Sequence, residues 1–155
     1  MLNNFWQVKL IANWCINLIM TNSTKTLFWV IAECVLVFVL LSLPGDEFSD
    51  HTSWISKIMA LPFADKVVHM GLFGSLALSL FFHFEMLTDT RYKTTRAKAI
   101  ALIICILYGI GMEYYQKYYV PSRGFDVLDM LADAIGALCA LPLFELLRKK
   151  LFKKL

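Results

Sequence analysis

The residues able to do chemistry gather in three short stretches of the chain. Asp65, Lys66 and His69 come first, with Asp65 and His69 four positions apart and so one turn apart on a helix face. Glu113 and Gln116 follow at i and i+3. After Pro121 and Arg123 come Asp126, Asp129 and Asp133, spaced i, i+3 and i+7. A carboxylate one turn from an imidazole suits proton transfer or metal ligation, which makes His69, Asp65, Glu113 and Asp129 the candidate catalytic groups. Lys66 and Arg123 suit the clamping of an anion such as the phosphate of a lipid carrier. Together with Gln116, Asp126 and Asp133 they form the candidate ligand-binding set. Carboxylates, Gln116 and His69 would also suit a hard divalent cation or zinc. Because Lys66 and Arg123 would repel a cation, and no H-E-x-x-H pattern is present, no metal is assigned and the cofactor is left open. The competing reading is a buried ion-pair network that fixes helix register.

The elements that must position these groups are apolar helices. Of 155 residues, 59% are hydrophobic and 17% charged, with a mean hydropathy of +0.62; a soluble domain carries about 25% charged residues. Four apolar runs, at about 27–43, 67–84, 99–115 and 127–147, are in or near the range of about 17 to 25 residues that a helix needs to cross hydrocarbon. The first ends at Pro44-Gly45, a strong stop. Alternating apolar and polar positions, the signature of a membrane barrel, are missing. The expectation is an all-α membrane protein, a compact four-helix bundle. Gly71, Ser75 and Ser79 on the second span and Ala132, Gly136 and Ala140 on the fourth would let helix backbones approach closely.

Lys and Arg set the orientation. Eleven lie in the N-terminal segment, the loop between the second and third spans and the C-terminal tail; four lie on the other side. Both termini are therefore expected in the cytoplasm, with the acidic cluster facing outward. Residues 1–25 read as an N-terminal amphipathic segment, with Lys9, Asn13 and Asn17 forming one polar stripe of an interfacial helix. Residues 26–148 form the four-span domain and 149–155 a basic tail suited to anionic lipid head groups. In the first outer loop, Trp54, Ile55, Ile58 and Met59 have the spacing of a short amphipathic helix that would lid the cluster. Cys15, Cys34, Cys105 and Cys139 lie in apolar stretches without metal-site spacing and read as reduced. At about 1.5 Å per residue Asp133 lies roughly 10 Å below Asp126, so it faces the bundle interior or a water-filled cavity.

The run Asp65-Lys66-Val67-Val68-His69, Glu113-x-x-Gln116, Pro121-Ser122-Arg123, Asp126-x-x-Asp129 and Leu131-Ala132-Asp133-x-x-Gly136 resembles the VanZ-like family, as does Leu41-Ser42-Leu43-Pro44. The resemblance extends from about residue 27 to residue 142. It implies a bacterial multi-pass protein of the inner membrane, associated with resistance to the glycopeptide antibiotic teicoplanin. Family members often carry Asn at the position of Asp133, so this chain adds a potential negative charge deep in the site.

Three functions stay open at this level. The first is a VanZ-like protein acting on the cell envelope through an outward-facing acidic pocket, with membrane lipids, a lipid-linked cell-wall precursor or a glycopeptide-related ligand as partner. The second is an enzyme that hydrolyses or transfers a lipid-linked phosphate, and the third a small transporter or non-catalytic interaction subunit. No nucleic-acid partner is expected. Glu33, in the cytoplasmic half of the first span, is either bonded within the bundle or part of a proton or substrate path. His83 and Glu85 read as interfacial. Tyr114, Tyr115, Tyr118 and Tyr119 read, with Trp54, as an outer aromatic belt.

Overall fold

A computed structural model describes residues 23–44, 63–87 and 91–151. Four helices run through them: α1 (Ser23–Leu41), α2 (Ala64–Leu87), α3 (Arg91–Tyr119) and α4 (Val127–Leu151). All four contain stretches long and apolar enough to cross a bilayer, and no strand occurs among the described residues. Of the amphipathic segment expected over residues 1–25, residues 23–25 belong to α1 and the rest lies outside the described residues, as do the amphipathic helix expected around Trp54, the end of the basic tail and Cys15.

Local chemistry explains where the helices stop and start. At the end of α1, Ser42 Oγ and Ser42 N both bond the carbonyl of Phe38, and Pro44 follows. The turn after α3 places Ser122 at φ 60°, a left-handed conformation that costs a residue with a Cβ about 1 kcal/mol or more. Asp126 then caps α4: its Oδ1 accepts from Leu128 N at 2.8 Å, while its carbonyl accepts from Asp129 N and Met130 N. Helix α3 begins at Arg91, about two turns ahead of the apolar run at residue 99, so its hydrophilic residues 91–98 extend beyond the spanning stretch.

The helices alternate in direction. Gln116 near the end of α3 donates to the carbonyl of Leu41 at the end of α1, and both lie at the end of the bundle where α2 and α4 begin. The core is a column of Val37, Leu41, Phe73, Leu76, Ala77, Ala101, Cys105 and Ala137, closed at the far end by Phe81 and Phe82 packed on Phe144. Outward positions such as Phe28, Trp29, Leu107 and Val127 are well exposed. In water such a continuous apolar surface would aggregate; in lipid it is the expected exterior.

Helices α2 and α4 cross closely because glycines meet there. A Cβ on Gly136 would lie 2.2 Å from the Met70 carbonyl oxygen, and one on Gly74 would lie 3.1 Å from that of Gly136. The small-residue row on α4 behaves as its spacing predicts, with Ala132, Gly136 and Ala140 all buried. The row expected on α2 does not: Gly71 meets open space and Ser75 is exposed. Gly74, not Gly71, is the contact, because the face of α2 that meets α4 also carries Met70.

The bundle end opposite the chemistry is tied by charge pairs. Arg148 Nε meets Glu85 Oε1 at 2.5 Å, Lys98 pairs with Glu145, and Thr26 Oγ1 lies 3.0 Å from His83 Nδ1. His83 is thus a buried, partnered residue at the helix end. Deeper in, Ser79 Oγ donates to Glu33 Oε2, so Glu33 is bonded within the bundle. The cysteines Cys34, Cys105 and Cys139 are free thiols.

Candidate functional site

Three helix ends converge on one polar cluster. The first turns of α2 supply Asp65, Lys66 and His69, the last turns of α3 supply Glu113 and Gln116, and the start of α4 supplies Asp126, Asp129 and Asp133. His69, Glu113, Gln116, Asp129 and Asp133 are all buried. Burial of so many polar groups among helices that face lipid is costly unless each finds a partner, so their pairing is informative.

Lys66 lies among three carboxylates. Its Nζ is 2.5 Å from Asp126 Oδ2, 2.7 Å from Asp129 Oδ1 and 3.7 Å from Asp65 Oδ2. The ammonium holds the Asp126 carboxyl below the usual carboxylate range, helped by the cap bond from Leu128 N. Arg123 reaches back from the α3–α4 turn to Asp65, at 3.4 Å. Glu113 Oε2 accepts from Asp126 N at 2.9 Å, which ties α3 to the cap of α4. Gln116 Nε2 donates to the Leu41 carbonyl at 2.9 Å and so holds α1 against the cluster.

The deepest pair is His69 with Asp133. Nδ1 of His69 and Oδ1 of Asp133 lie 2.9 Å apart, both side chains being almost fully buried. A carboxylate bound at Nδ1 fixes the ring's orientation and directs the proton chemistry of Nε2. Asp133 is seated by Gly109: a Cβ there would come within 2.6 Å of Asp133 Oδ2. Gly109 was silent in the sequence. In retrospect its signal is a glycine about one turn from Glu113 on the same helix face, where a bulky side chain would fill the carboxylate's seat.

The pairing is incomplete. Six buried side-chain polar atoms lack a hydrogen-bond partner among the described residues, and five are here: His69 Nε2, Glu113 Oε1, Arg123 Nε, Asp129 Oδ1 and Asp133 Oδ2. Asp129 Oδ1 is nonetheless held by the Lys66 ammonium at 2.7 Å, so the four other atoms are the open ones. A network that only fixed helix register would be expected to satisfy its members.

All nine residues singled out in the sequence therefore meet at one end of the bundle. Within it Lys66 and Arg123 are both held by carboxylates, and His69 by Asp133. The surrounding rim is aromatic. Tyr114, Tyr118 and Tyr119 are exposed, whereas Tyr115 is half-buried against Phe38 and stacks on Tyr119. Below the cluster, Phe73, Leu76 and Ala77 are fully buried and separate His69 from the Ser79–Glu33 pair on the same helix.

Comparison with known proteins agrees with this picture. An uncharacterised protein of the fission yeast Schizosaccharomyces pombe is 29% identical over 98 residues, which are 63% of this chain and 56% of the relative. The chain thus matches about half the length of that protein. No solved structure is significantly similar. The VanZ/LLP1 family profile matches residues 3–148, nearly the whole length and every residue of the cluster, and the chain belongs to that family.

Proposed function

We propose that this protein binds the phosphate-bearing head group of a membrane lipid in the polar cluster and acts there on the cell envelope. The observation that carries this reading is the set of five polar atoms without a hydrogen bond, buried together at one end of the bundle. The aromatic rim supports it, since exposed tyrosines favour the membrane interface. A relative in a fungus also favours a lipid-borne phosphate, chemistry that bacterial and fungal membranes share, over a ligand confined to the bacterial wall.

The balance of Lys and Arg supports an orientation with both termini in the cytoplasm and the cluster on the outer side of a bacterial inner membrane. Teicoplanin resistance would then follow from altered handling of a lipid-linked wall precursor. Arg123→Ala and Asp129→Asn are expected to abolish an envelope or resistance phenotype while the protein still accumulates in the membrane. Unchanged phenotypes in both variants would overturn this reading.

One observation favours a catalytic version, hydrolysis or transfer of the lipid-linked phosphate. The His69–Asp133 pair leaves Nε2 open and oriented, the arrangement of a general acid or base. Incubation of purified protein with polyprenyl phosphates and diphosphates should release phosphate or convert the lipid, and His69→Gln should lower the rate at least about 100-fold. The packed stretch of Phe73, Leu76 and Ala77 argues against a polar transport path from Glu33 to the cluster.

A further inference from the structure

The charge balance of the cluster is uneven. Asp65, Glu113, Asp126, Asp129 and Asp133 face two fixed cations, Lys66 and Arg123, each already held by a carboxylate. An anionic head group entering alone would meet excess negative charge in a poorly solvated site. A cation would not.

Within the cluster, a ring nitrogen of His69 and one carboxylate oxygen each from Asp65 and Asp129 lie within 4.8 Å of one another. His69 is fully buried, and with Nδ1 held by Asp133, Nε2 is the nitrogen left to serve; it has no hydrogen-bond partner. A carboxylate on the far nitrogen of an imidazole is the usual outer support of a metal-ligating histidine, since it fixes the tautomer and raises the ring's basicity. Asp129, whose Oδ1 meets Lys66 Nζ at 2.7 Å, supplies an oxygen from the neighbouring helix.

We infer that Asp65, His69 and Asp129 form a binding site for a divalent cation of the zinc or manganese class, with Asp133 as the outer support of His69. One imidazole and two carboxylates are a mixed set that suits zinc or manganese better than magnesium or calcium, which favour oxygen throughout. Three protein ligands leave a position open, as in sites where the metal meets a substrate oxygen. This inference rests on the head-group reading above and deepens it: the cation would convert an acidic cluster into an acceptor for phosphate. The sequence left the metal unassigned because Lys66 and Arg123 would repel a cation and Asp129 lies 60 residues from His69, outside any compact ligand motif. Lys66 has a second anchor in Asp126, at 2.5 Å, and keeps it when Asp129 turns to a metal.

The test uses full-length protein in lipid nanodiscs, stripped with chelator and titrated with Zn2+, Mn2+ and Co2+. Calorimetry should show one site, and Co2+ should give the visible absorption of a low-coordinate nitrogen–oxygen site. His69→Gln and Asp129→Asn should weaken binding at least about 100-fold, and Asp133→Asn about 10- to 100-fold. Lys66→Gln, which removes the competing ammonium, should tighten it. Glu145→Gln, at the opposite end, should leave it unchanged. Folding of each variant is checked by helical circular dichroism and size-exclusion elution. Absence of stoichiometric binding by folded wild type would overturn the site, as would undiminished binding in both His69→Gln and Asp129→Asn, or a loss in Lys66→Gln as large as theirs. Binding of polyprenyl phosphate, measured in parallel with and without chelator, separates the two ideas. Lipid binding indifferent to chelator removes the metal and keeps the head-group site; metal binding without lipid does the reverse.

Discussion

The two ends of this bundle hold similar residue types and use them differently. At the end where α2 and α4 finish, Lys98–Glu145, Arg148–Glu85 and Thr26–His83 are direct pairs between neighbouring helices, and among the described residues Glu85 Oε2 is the one buried polar atom there without a hydrogen bond. At the end where they begin, five such atoms converge around His69 and Asp129. The first arrangement ties helices together near water, where an ion pair contributes at most about 1 kcal/mol. In the second, buried acids are held in place by one another and by glycine seats. Charge alone does not mark a functional site; charge buried and left partly unpaired does.

That contrast can be broken most forcefully at the crossing that aligns the site. Gly136→Leu drives a side chain into the Met70 backbone and should cost about 3 kcal/mol or more, visible as loss of folded protein in detergent extracts. Gly71→Leu, next to Met70 in sequence but facing open space, should accumulate normally. Next come the site residues. His69→Gln should lower head-group binding or turnover at least about 100-fold, and Asp133→Asn, which keeps an oxygen acceptor for His69 Nδ1, by about tenfold. Lys98→Gln and Glu145→Gln should do the opposite, sparing function and lowering stability by about 1 kcal/mol or less. If the pairs at both ends behaved alike in these assays, the distinction between tie and site would fall.

A smaller effect belongs to the cap. Asp126→Ala should destabilise by about 1 kcal/mol through loss of the bond to Leu128 N, whereas Asp126→Asn keeps the cap. The two also differ with pH. Because Lys66 depresses the Asp126 carboxyl in the folded state, the stabilisation is present above the ordinary carboxylate range and is lost as pH falls through the lowered value. Thermal unfolding between pH 5 and pH 2 should therefore show a steeper acid loss in wild type than in Asp126→Asn. The smallest change is Ser122→Gly, which relieves a left-handed residue and should be neutral or stabilising by up to about 1 kcal/mol.

Most of the fold was legible because membrane helices announce themselves through long apolar runs and hard stops. Pro44 and the turn at Pro121 mark helix ends in sequence and in space. The nine site residues were legible too, as polar groups that an apolar helix does not carry without reason. Their pairings were not. Asp65 and His69 share a helix face, yet Asp65 goes to Arg123 and His69 to Asp133, because the crossing at Gly74 and Gly136 decides which turns of α2 and α4 meet. The same crossing was misread at Gly71, since four-residue spacing identifies a row of small residues but not which of several rows is buried. The roles of Glu113 and Gln116 as ties to Asp126 N and to Leu41 O depend on backbone positions that side-chain pattern does not encode.

The central claim is that the cluster around His69 and Asp129 is an open ligand site for a lipid-borne phosphate. Native mass spectrometry of wild type and of the His69→Gln/Asp129→Asn double variant, each released from nanodiscs containing polyprenyl phosphate and supplied with Zn2+ or Mn2+, tests it most directly. Wild type should retain the lipid at one molecule per chain, and the folded double variant should retain at least about tenfold less. Equal retention by the two proteins would contradict the account.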